Sequence, residues 1–361
     1  MKQALSLANL ALGQVSPNPA VGAIIVNESE VVGQGYTQPP GSWHAEIMAL
    51  NQAGDKAKGG VMYVTLEPCS HQGRTPPCTQ AIIAAGIAEV HLAMIDPNPL
   101  VSGGGEAELE REGIRTYVGE HEDEAKEINE AYIKYITTGM PFVTAKFASS
   151  LDGKIATKNG DSEWISGTEA RKYVHYLRYT SDAIMVGANT VINDNPRLTC
   201  RYAGKGGEAK KQPLRVIVDG KRRTPMDSQV YNESGKALLV FGESITKEKK
   251  NEYSLGEIEL LELPSEKGQI ELDSLLKALG ERKITSVLVE GGGILLGSLF
   301  DGGLVDKVIA FITPIIIGGS DAKTAVAGKG VDTVTNSLKL ERVKTETFGD
   351  DLMVRGYMKN C

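Results

Sequence analysis

His44, Glu46, Cys69 and Cys78 are the residues of this chain whose types and spacing can do chemistry. His44-Ala45-Glu46 sets an imidazole two positions from a carboxylate. Pro68-Cys69 and Pro77-Cys78 follow, with eight residues between the cysteines. One imidazole and two thiolates are zinc ligands. Three protein ligands leave tetrahedral zinc one open position, the mark of a catalytic rather than a structural site. A water held there loses its proton near neutral pH and becomes hydroxide in a dry pocket. Glu46, a carboxylate outside the ligand set, can then carry the proton.

The elements that must position these groups are readable. Residues 45–53 read as a helix ending near Gly54, so His44 and Glu46 share its first turn and reach one pocket. Residues 61–66 read as a buried strand running into Glu67-Pro68-Cys69. Pro76-Pro77 suits a helix start, because the missing N–H needs no partner there, and a helix over 79–85 closes at Gly86. Cys78 is therefore expected at a positive helix end, where thiolate is favoured over thiol. A lone histidine with two cysteines is more often core packing. The offset of Glu46 and the proline before each cysteine weigh for a site instead. His71 offers a fourth ligand for structural zinc, but its loop, Ser70-His71-Gln72-Gly73-Arg74, is better placed to meet substrate. His91, His121 and His175 read as structural or surface residues.

A chain of 361 residues exceeds one typical core, and Thr138-Gly139-Met140-Pro141 breaks the pattern, which predicts domains at 1–140 and 141–361. In the first, strands at 21–26, 31–33, 61–66 and 90–94 alternate with helices at 4–12, 45–53, 79–85 and 106–112, and one long charged helix spans 122–136. That alternation implies a layered α/β domain with a substantially parallel sheet. A second α/β pattern places strands at 142–148, 183–186, 214–218, 237–241, 286–289 and 308–313, with loops at 203–212 and 246–252. No internal repeat relates the halves.

The net charge of −7 offers no electrostatic footprint for nucleic acid or an anionic membrane. No apolar run approaches the ~20 residues of a membrane span. The first residues lack the apolar stretch of a signal peptide, and four cysteines in so long a chain make no disulfide framework. A cytoplasmic protein with reduced thiols is expected.

The second half gives fewer chemical signals. A strand over 286–290, the turn Gly291-Gly292-Gly293 and a helix over 294–300 would aim backbone N–H groups at a phosphate. The G-x-G-x-x-G fingerprint is missing from its expected context, so this is not an ordinary Rossmann domain. Taken alone, Trp164 reads as a core residue, Asp194-Asn195-Pro196 as a turn and Arg201 as a surface charge. Lys146 lies on a strand leading to the site and either binds substrate or extends along it to solvent.

His-x-Glu followed by Pro-Cys and a second cysteine is the signature of zinc-dependent deaminases, which usually set two residues between the cysteines. The wider gap here argues for a distinct branch. Over nearly its whole length the chain resembles the bifunctional riboflavin-biosynthesis deaminase–reductase family. In the first half the resemblance rests on Asn18-Pro19-Ala20-Val21-Gly22, His44-Ala45-Glu46, Thr65-Leu66-Glu67-Pro68-Cys69-Ser70-His71, Gly73-Arg74-Thr75-Pro76-Pro77-Cys78 and Asp96-Pro97-Asn98-Pro99. In the second it rests on Ser150-Leu151-Asp152-Gly153-Lys154-Ile155-Ala156, Gly160-Asp161-Ser162-Glu163-Trp164-Ile165, Asp194-Asn195-Pro196-Arg197-Leu198-Thr199 and Val289-Glu290-Gly291-Gly292. Gly104 stands where relatives usually carry a basic residue, which puts a phosphate contact from that loop in doubt.

The resemblance implies a cytidine-deaminase-like three-layer α/β domain followed by a dihydrofolate-reductase-like domain. The first would deaminate a diamino-pyrimidinone ribosylamine 5′-phosphate through zinc hydroxide. The second would reduce the product's ribosyl group to ribityl with NADPH. By matching positions, His44, Cys69 and Cys78 would bind zinc and Glu46 would shuttle the proton. Asn18 and His71 would hold the pyrimidine, and Arg74 would approach the 5′-phosphate. Ala148, Trp164, Thr190, Asp194 and the run Gly292, Gly293, Ile294, Leu295, Leu296, Gly297 and Ser298 would contact NADPH. Ser162, Leu198, Arg201 and Glu290 would contact the reductase substrate, with Arg201 suited to its phosphate. The expected partners are these small molecules, with no nucleic acid and no membrane, and a homo-oligomer is expected. Two other readings are a cytidine-type or RNA-editing deaminase fused to an unrelated reductase, and a non-catalytic protein with structural zinc. The acidic balance counts against RNA editing, and Glu46 counts against the non-catalytic reading.

Overall fold

The computed structural model describes residues 1–70, 76–99, 101–202, 211–242 and 258–359. The chain divides into two compact units, Met1–Met140 and Pro141–Cys361.

The first unit is built on five strands: β1 (Gly22–Asn27), β2 (Glu30–Tyr36), β3 (Val61–Val64), β4 (Glu89–Leu92) and β5 (Arg115–Val118). Their order is β2-β1-β3-β4-β5. β3, β4 and β5 run parallel, while β1 is antiparallel to both neighbours, so only part of the sheet matches the parallel expectation. Helix α1 (Lys2–Ala11) and helix α2 (Ala45–Ala53) press on opposite faces. A Cβ on Gly22 would stand 2.0 Å from the Ala4 carbonyl oxygen of α1. Gly35 pairs with Ala23, the next residue along β1, and a Cβ there would stand 2.5 Å from the Ala45 carbonyl oxygen of α2. Successive strand residues face opposite sides, so these two close approaches fix a helix–sheet–helix sandwich. Its core joins Ile25, Met62, Val64, Val90 and Leu92 of the sheet to Ala45 and Ala49 of α2 and Ile82 of α3 (Cys78–Ala84).

The single helix expected over 122–136 is two. Helix α4 (Gly104–Arg111) precedes α5 (Glu122–Ile128), and α6 (Glu130–Thr138) follows after a break at Asn129. The buried Asn129 amide explains the break. Its Oδ1 accepts the Ala20 N–H at 2.8 Å, and its Nδ2 donates to the Ala20 carbonyl at 3.0 Å. A side chain pairing with a backbone amide as a strand would competes with continued helix.

The second unit is a nine-stranded sheet. Its strands are β6 (Phe142–Ser150), β7 (Ala183–Gly187), β8 (Leu214–Val218), β9 (Ala237–Phe241), β10 (Ile258–Glu262), β13 (Ser286–Val289), β14 (Lys307–Thr313), β15 (Leu340–Phe348) and β16 (Asp351–Met358). The order is β10-β9-β8-β7-β13-β6-β14-β16-β15, and β11 (Ser265–Glu266) and β12 (Gln269–Ile270) form a separate ribbon. From β10 to β14 neighbouring strands are parallel, and β16 and β15 close one edge antiparallel. Helices α7 (Thr168–Thr180), α8 (Ala188–Asp194), α9 (Gln229–Asn232), α10 (Leu272–Glu281) and α11 (Gly293–Asp301) connect them. The buried β-branched and leucine-rich runs of β8, β9 and β13 match the residue ranges expected from sequence. In a parallel sheet, ligands collect beyond the carboxyl ends of the strands. Gly187, Asp219 and Glu290 stand at such ends.

Candidate active site

His44 is the N-cap residue of α2 in extended conformation, and Glu46 lies buried in that helix's first turn. Cys69 follows β3 by a short loop. Cys78, fully buried, is the first residue of α3, directly after Pro77 as the proline spacing predicts. The ligand atoms of His44, Cys69 and Cys78 all lie within 4.8 Å of one another. His44 turns Nδ1 inward, 3.2 Å from Cys78 Sγ and 3.7 Å from Cys69 Sγ. The backbone closes the site, since Cys78 N donates to Cys69 Sγ at 3.4 Å and Thr79 N to the Cys69 carbonyl at 3.3 Å.

The charges agree with a cation site. Burial, reinforced by the Cys69 charge, pushes the Glu46 carboxyl up to about 7. The hydrogen bond with Cys69 raises the His44 imidazole. A hydrogen bond from Cys78 draws the Cys69 thiol down to about 4, while Cys78 is pushed up by that same bond and by its burial. The helix start does not offset the burial of Cys78 beside Cys69 and Glu46. A buried and a part-buried sulfur, an imidazole and a buried carboxyl converge here, and the three ligand atoms offer the nitrogen–sulfur donors zinc prefers. A cavity of about 380 Å³ opens beside His44, lined by Trp43, Ile47, Pro76, Pro77, Gln80 and Ala81.

Glu67 carries a role that its sequence context did not reveal. Its buried carboxylate accepts four backbone N–H groups: Asp96 and Gly103 on Oε2 at 3.1 and 2.9 Å, Gly105 and Glu106 on Oε1 at 2.8 and 3.1 Å. Two residues before Cys69, it fastens the strand end to the start of α4. A Cβ on Gly105 would meet the Pro68 carbonyl oxygen at 2.1 Å, so glycine is required there. The amides of this loop are thereby committed to Glu67, and with glycine at 104 the loop has no basic side chain at that position for a phosphate. Asn18 lies on the loop just before Ala20, whose backbone Asn129 clamps. His71 and Arg74 lie outside the described residues.

In the second unit Glu290, at the end of β13, forms the centre of a buried charge cluster. Arg178 of α7 donates Nε to Glu290 Oε1 at 2.6 Å and Nη2 to Oε2 at 3.0 Å, and Nη1 to the Thr199 carbonyl at 3.0 Å. Lys146 Nζ stands 4.0 Å from Glu290 Oε2. Burial opposes ionisation of Glu290, but the charge and hydrogen bonds of Arg178 outweigh it and hold the carboxyl below its ordinary range. Burial also lowers Lys146. Arg178 was not anticipated from sequence: an arginine on a helix with buried Val174 and Leu177 reads as a surface charge.

Arg201 is exposed and touches His175, with Nη2 3.0 Å from the ring Nε2. Leu198 is buried in the core with Ile184 and Val191. Ser162 Oγ donates to Asp194 Oδ1 at 3.2 Å, and Gly292 N donates to Thr190 Oγ1 at 2.9 Å, so α8 ties both segments together. Trp164 is 70% exposed, which overturns its reading as a core residue, and Arg171 stacks over its ring at 4.6 Å. Ala148 is half-buried against the cluster around Phe311. Along α11, Leu295 and Leu296 are buried and Ile294 is exposed, while Ser298 Oγ donates back to the Ile294 carbonyl. Gly293 and Gly297 admit the 324–328 loop: a Cβ would meet the Thr324 carbonyl oxygen at 2.6 Å and the Ala327 carbonyl oxygen at 2.2 Å.

Among the described residues, no helix is long and apolar enough to cross a membrane. Residues 1–94 match the cytidine and deoxycytidylate deaminase zinc-binding region, and residues 141–354 match the RibD C-terminal domain. The riboflavin biosynthesis protein RibD of Aquifex aeolicus is 44% identical over 357 residues, covering 98% of this chain and 96% of the relative. That of Escherichia coli is 38% identical over 360 residues, covering 98% and 96%. Among solved structures, Acinetobacter baumannii RibD superposes with a TM-score of 0.89 at 33% identity, covering 99% of this chain and 98% of its own. A diaminohydroxyphosphoribosylaminopyrimidine deaminase/5-amino-6-(5-phosphoribosylamino)uracil reductase from Thermotoga maritima gives 0.85 at 36% identity, covering 100% and 97%. The first unit is cytidine-deaminase-like and the second is a dihydrofolate-reductase-like reductase domain. The chain belongs to the RibD family, the bifunctional deaminase–reductases of riboflavin biosynthesis.

Proposed function

We propose that residues 1–140 deaminate 2,5-diamino-6-ribosylamino-4(3H)-pyrimidinone 5′-phosphate, and that residues 141–361 reduce the ribosyl group of the resulting 5-amino-6-ribosylamino-pyrimidinedione 5′-phosphate to ribityl. The observation that carries this reading is the buried Glu46 carboxyl beside the mutually close ligand atoms of His44, Cys69 and Cys78. Zinc bound by those three residues supplies Lewis-acid activation of water, and NADPH bound in the second unit supplies a hydride.

Glu46 takes the proton of the attacking water and returns it to the departing amine, so that a C–N bond breaks as a C–O bond forms and ammonia leaves. A carboxyl raised by burial suits both halves of that transfer. Asn18 and His71 hold the pyrimidine and Arg74 meets the 5′-phosphate. In the reductase, Ala148, Trp164, Thr190, Asp194 and residues 292–298 hold the cofactor. With Leu295 and Leu296 buried, their contribution is through the backbone. Ser162, Leu198, Arg201 and Glu290 hold the substrate, and Arg178 orients Glu290. Cys69, Cys78 and Cys200 form no disulfide, which suits the reducing cytoplasm, and a homo-oligomer of the full chain completes the reading.

Glu46→Gln tests the deaminase assignment. The variant should retain about one zinc per chain, on the three-ligand count, and lose deamination. Unaltered deamination would overturn the role of Glu46.

A further inference from the structure

Helix α3 begins at Cys78 without a side-chain cap. Pro77 stands in the capping position, and the helix runs only seven residues. So short a helix is marginal unless its first turn is held from outside. Its first two N–H groups turn to the segment that follows β3. Cys78 N donates to Cys69 Sγ at 3.4 Å, and Thr79 N donates to the Cys69 carbonyl at 3.3 Å. A sulfur acceptor and one long bond are a loose tether. The spacing of the two sulfurs is therefore left to whatever else fixes the start of α3.

Glu108, in the second turn of α4, grips that start. Its Oε2 accepts the Thr79 hydroxyl at 2.6 Å, and its Oε1 accepts the side-chain amide of Gln80. Thr79 is fully buried, so its hydroxyl needs a partner inside the protein. The other acceptor within reach, the Cys69 carbonyl, lies at 3.4 Å. Helix α4 is a firm base for this grip. Leu109, next to Glu108, is fully buried and shares one core with Ile82 of α3. At its first turn, Gly105 N and Glu106 N donate to Glu67 Oε1. Both cysteine-bearing segments are thus fixed to one helix that carries no ligand. The Cys69 segment is held through Glu67 and the Cys78 segment through Glu108.

We infer that Glu108 is a positioning residue of the metal centre, acting through Thr79 to hold Cys78 at its distance from Cys69. This rests on the zinc reading of His44, Cys69 and Cys78, but it concerns a side chain outside the ligand set. A group that orients a ligand acts on metal affinity and on the symmetry of the ligand field.

The test is metal binding by the full chain, stripped with a chelator and titrated with zinc in competition with a chromophoric chelator. Glu108→Ala and Thr79→Val should each weaken zinc by about 10- to 100-fold. Glu108→Gln keeps an oxygen for the Thr79 hydroxyl, and the Gln80 amide can turn to meet its nitrogen, so its affinity should stay within about threefold of wild type. The two losses arise from one bond, so the double variant Glu108→Ala/Thr79→Val should bind zinc within about twofold of the weaker single variant. With cobalt(II) in place of zinc, the visible bands of the tetrahedral ion should shift in Glu108→Ala and return in Glu108→Gln. If Glu108→Ala does not fold, Thr79→Val and Thr79→Ser carry the test, the serine keeping the affinity that the valine loses. Unchanged zinc affinity in Thr79→Val would overturn the inference. Equal loss in Glu108→Gln and Glu108→Ala would assign the effect to charge and overturn it too, as would losses that add in the double variant. Wild-type protein that binds no zinc would overturn the zinc reading itself and this inference with it.

Discussion

Glu67 and Gly105 are joined by a 2.8 Å hydrogen bond from the glycine N–H to Oε1, at a point where a Cβ on Gly105 would stand 2.1 Å from the Pro68 carbonyl oxygen. The bond connects the carboxyl two residues before Cys69 to the first turn of α4, and three further N–H groups converge on the same carboxylate. Glu67 thus positions a proposed zinc ligand without being one.

Glu67→Gln replaces one carboxylate oxygen with an amide donor facing N–H groups. Zinc affinity should fall by about 10- to 100-fold, as for other groups that orient metal ligands. Competition with a chromophoric chelator reads this directly, and an unchanged zinc dissociation constant would reject the positioning role.

Asn129→Ala removes both hydrogen bonds to Ala20 and strands that buried backbone pair. Unit 1 should lose about 2–6 kcal/mol, at about 1–3 kcal/mol for each of the two buried groups left unpaired. Denaturant unfolding of the variant measures the loss, and a change below about 0.5 kcal/mol would contradict the account of the helix break.

Arg178→Ala leaves the buried Glu290 carboxylate without its bidentate partner. Breaking a buried pair from one side costs about 3–5 kcal/mol, so unit 2 should melt earlier while zinc binding by unit 1 is retained. Arg178→Lys should recover part of the stability but not the fork. Equal stability of wild type and alanine variant would show that the cluster is not holding Glu290.

Burial, followed by the charges of Arg178 and Arg201, lowers His175 to about 4. The folded state therefore prefers the neutral ring, and the unfolded chain takes up the proton first as pH falls. Stability from this residue is full above the ordinary histidine value of about 6.5 and declines from there to about pH 4. The difference in unfolding free energy between wild type and His175→Gln should shrink or reverse over that window. A difference that is flat with pH would contradict the depressed ring.

Much of the geometry of the candidate zinc site was legible because its signals are local. Proline before Cys78 starts a helix, and the His44–Glu46 offset fits a helix's first turn. β8, β9 and β13 were legible as short buried apolar runs. β15 was not, because its residues between Leu340 and Phe348 are exposed and mixed in character, and β5 is only four residues long. Glu67, Asn129 and Arg178 were hidden for a different reason. Each acts through partners distant in the chain, such as the 109 positions between Ala20 and Asn129 or the 112 between Arg178 and Glu290. A polar residue's type does not say which backbone groups the fold will bring to it.

The central claim is that one chain performs both steps in sequence. It is tested most directly by supplying zinc-loaded protein with the diamino-pyrimidinone ribosylamine phosphate and NADPH and following absorbance of the reduced nicotinamide. The account predicts one NADPH oxidised per substrate with wild type. With Glu46→Gln it predicts no oxidation on that substrate but full oxidation on the pre-deaminated compound. Absence of NADPH oxidation by wild type, even with pre-deaminated substrate, would contradict it.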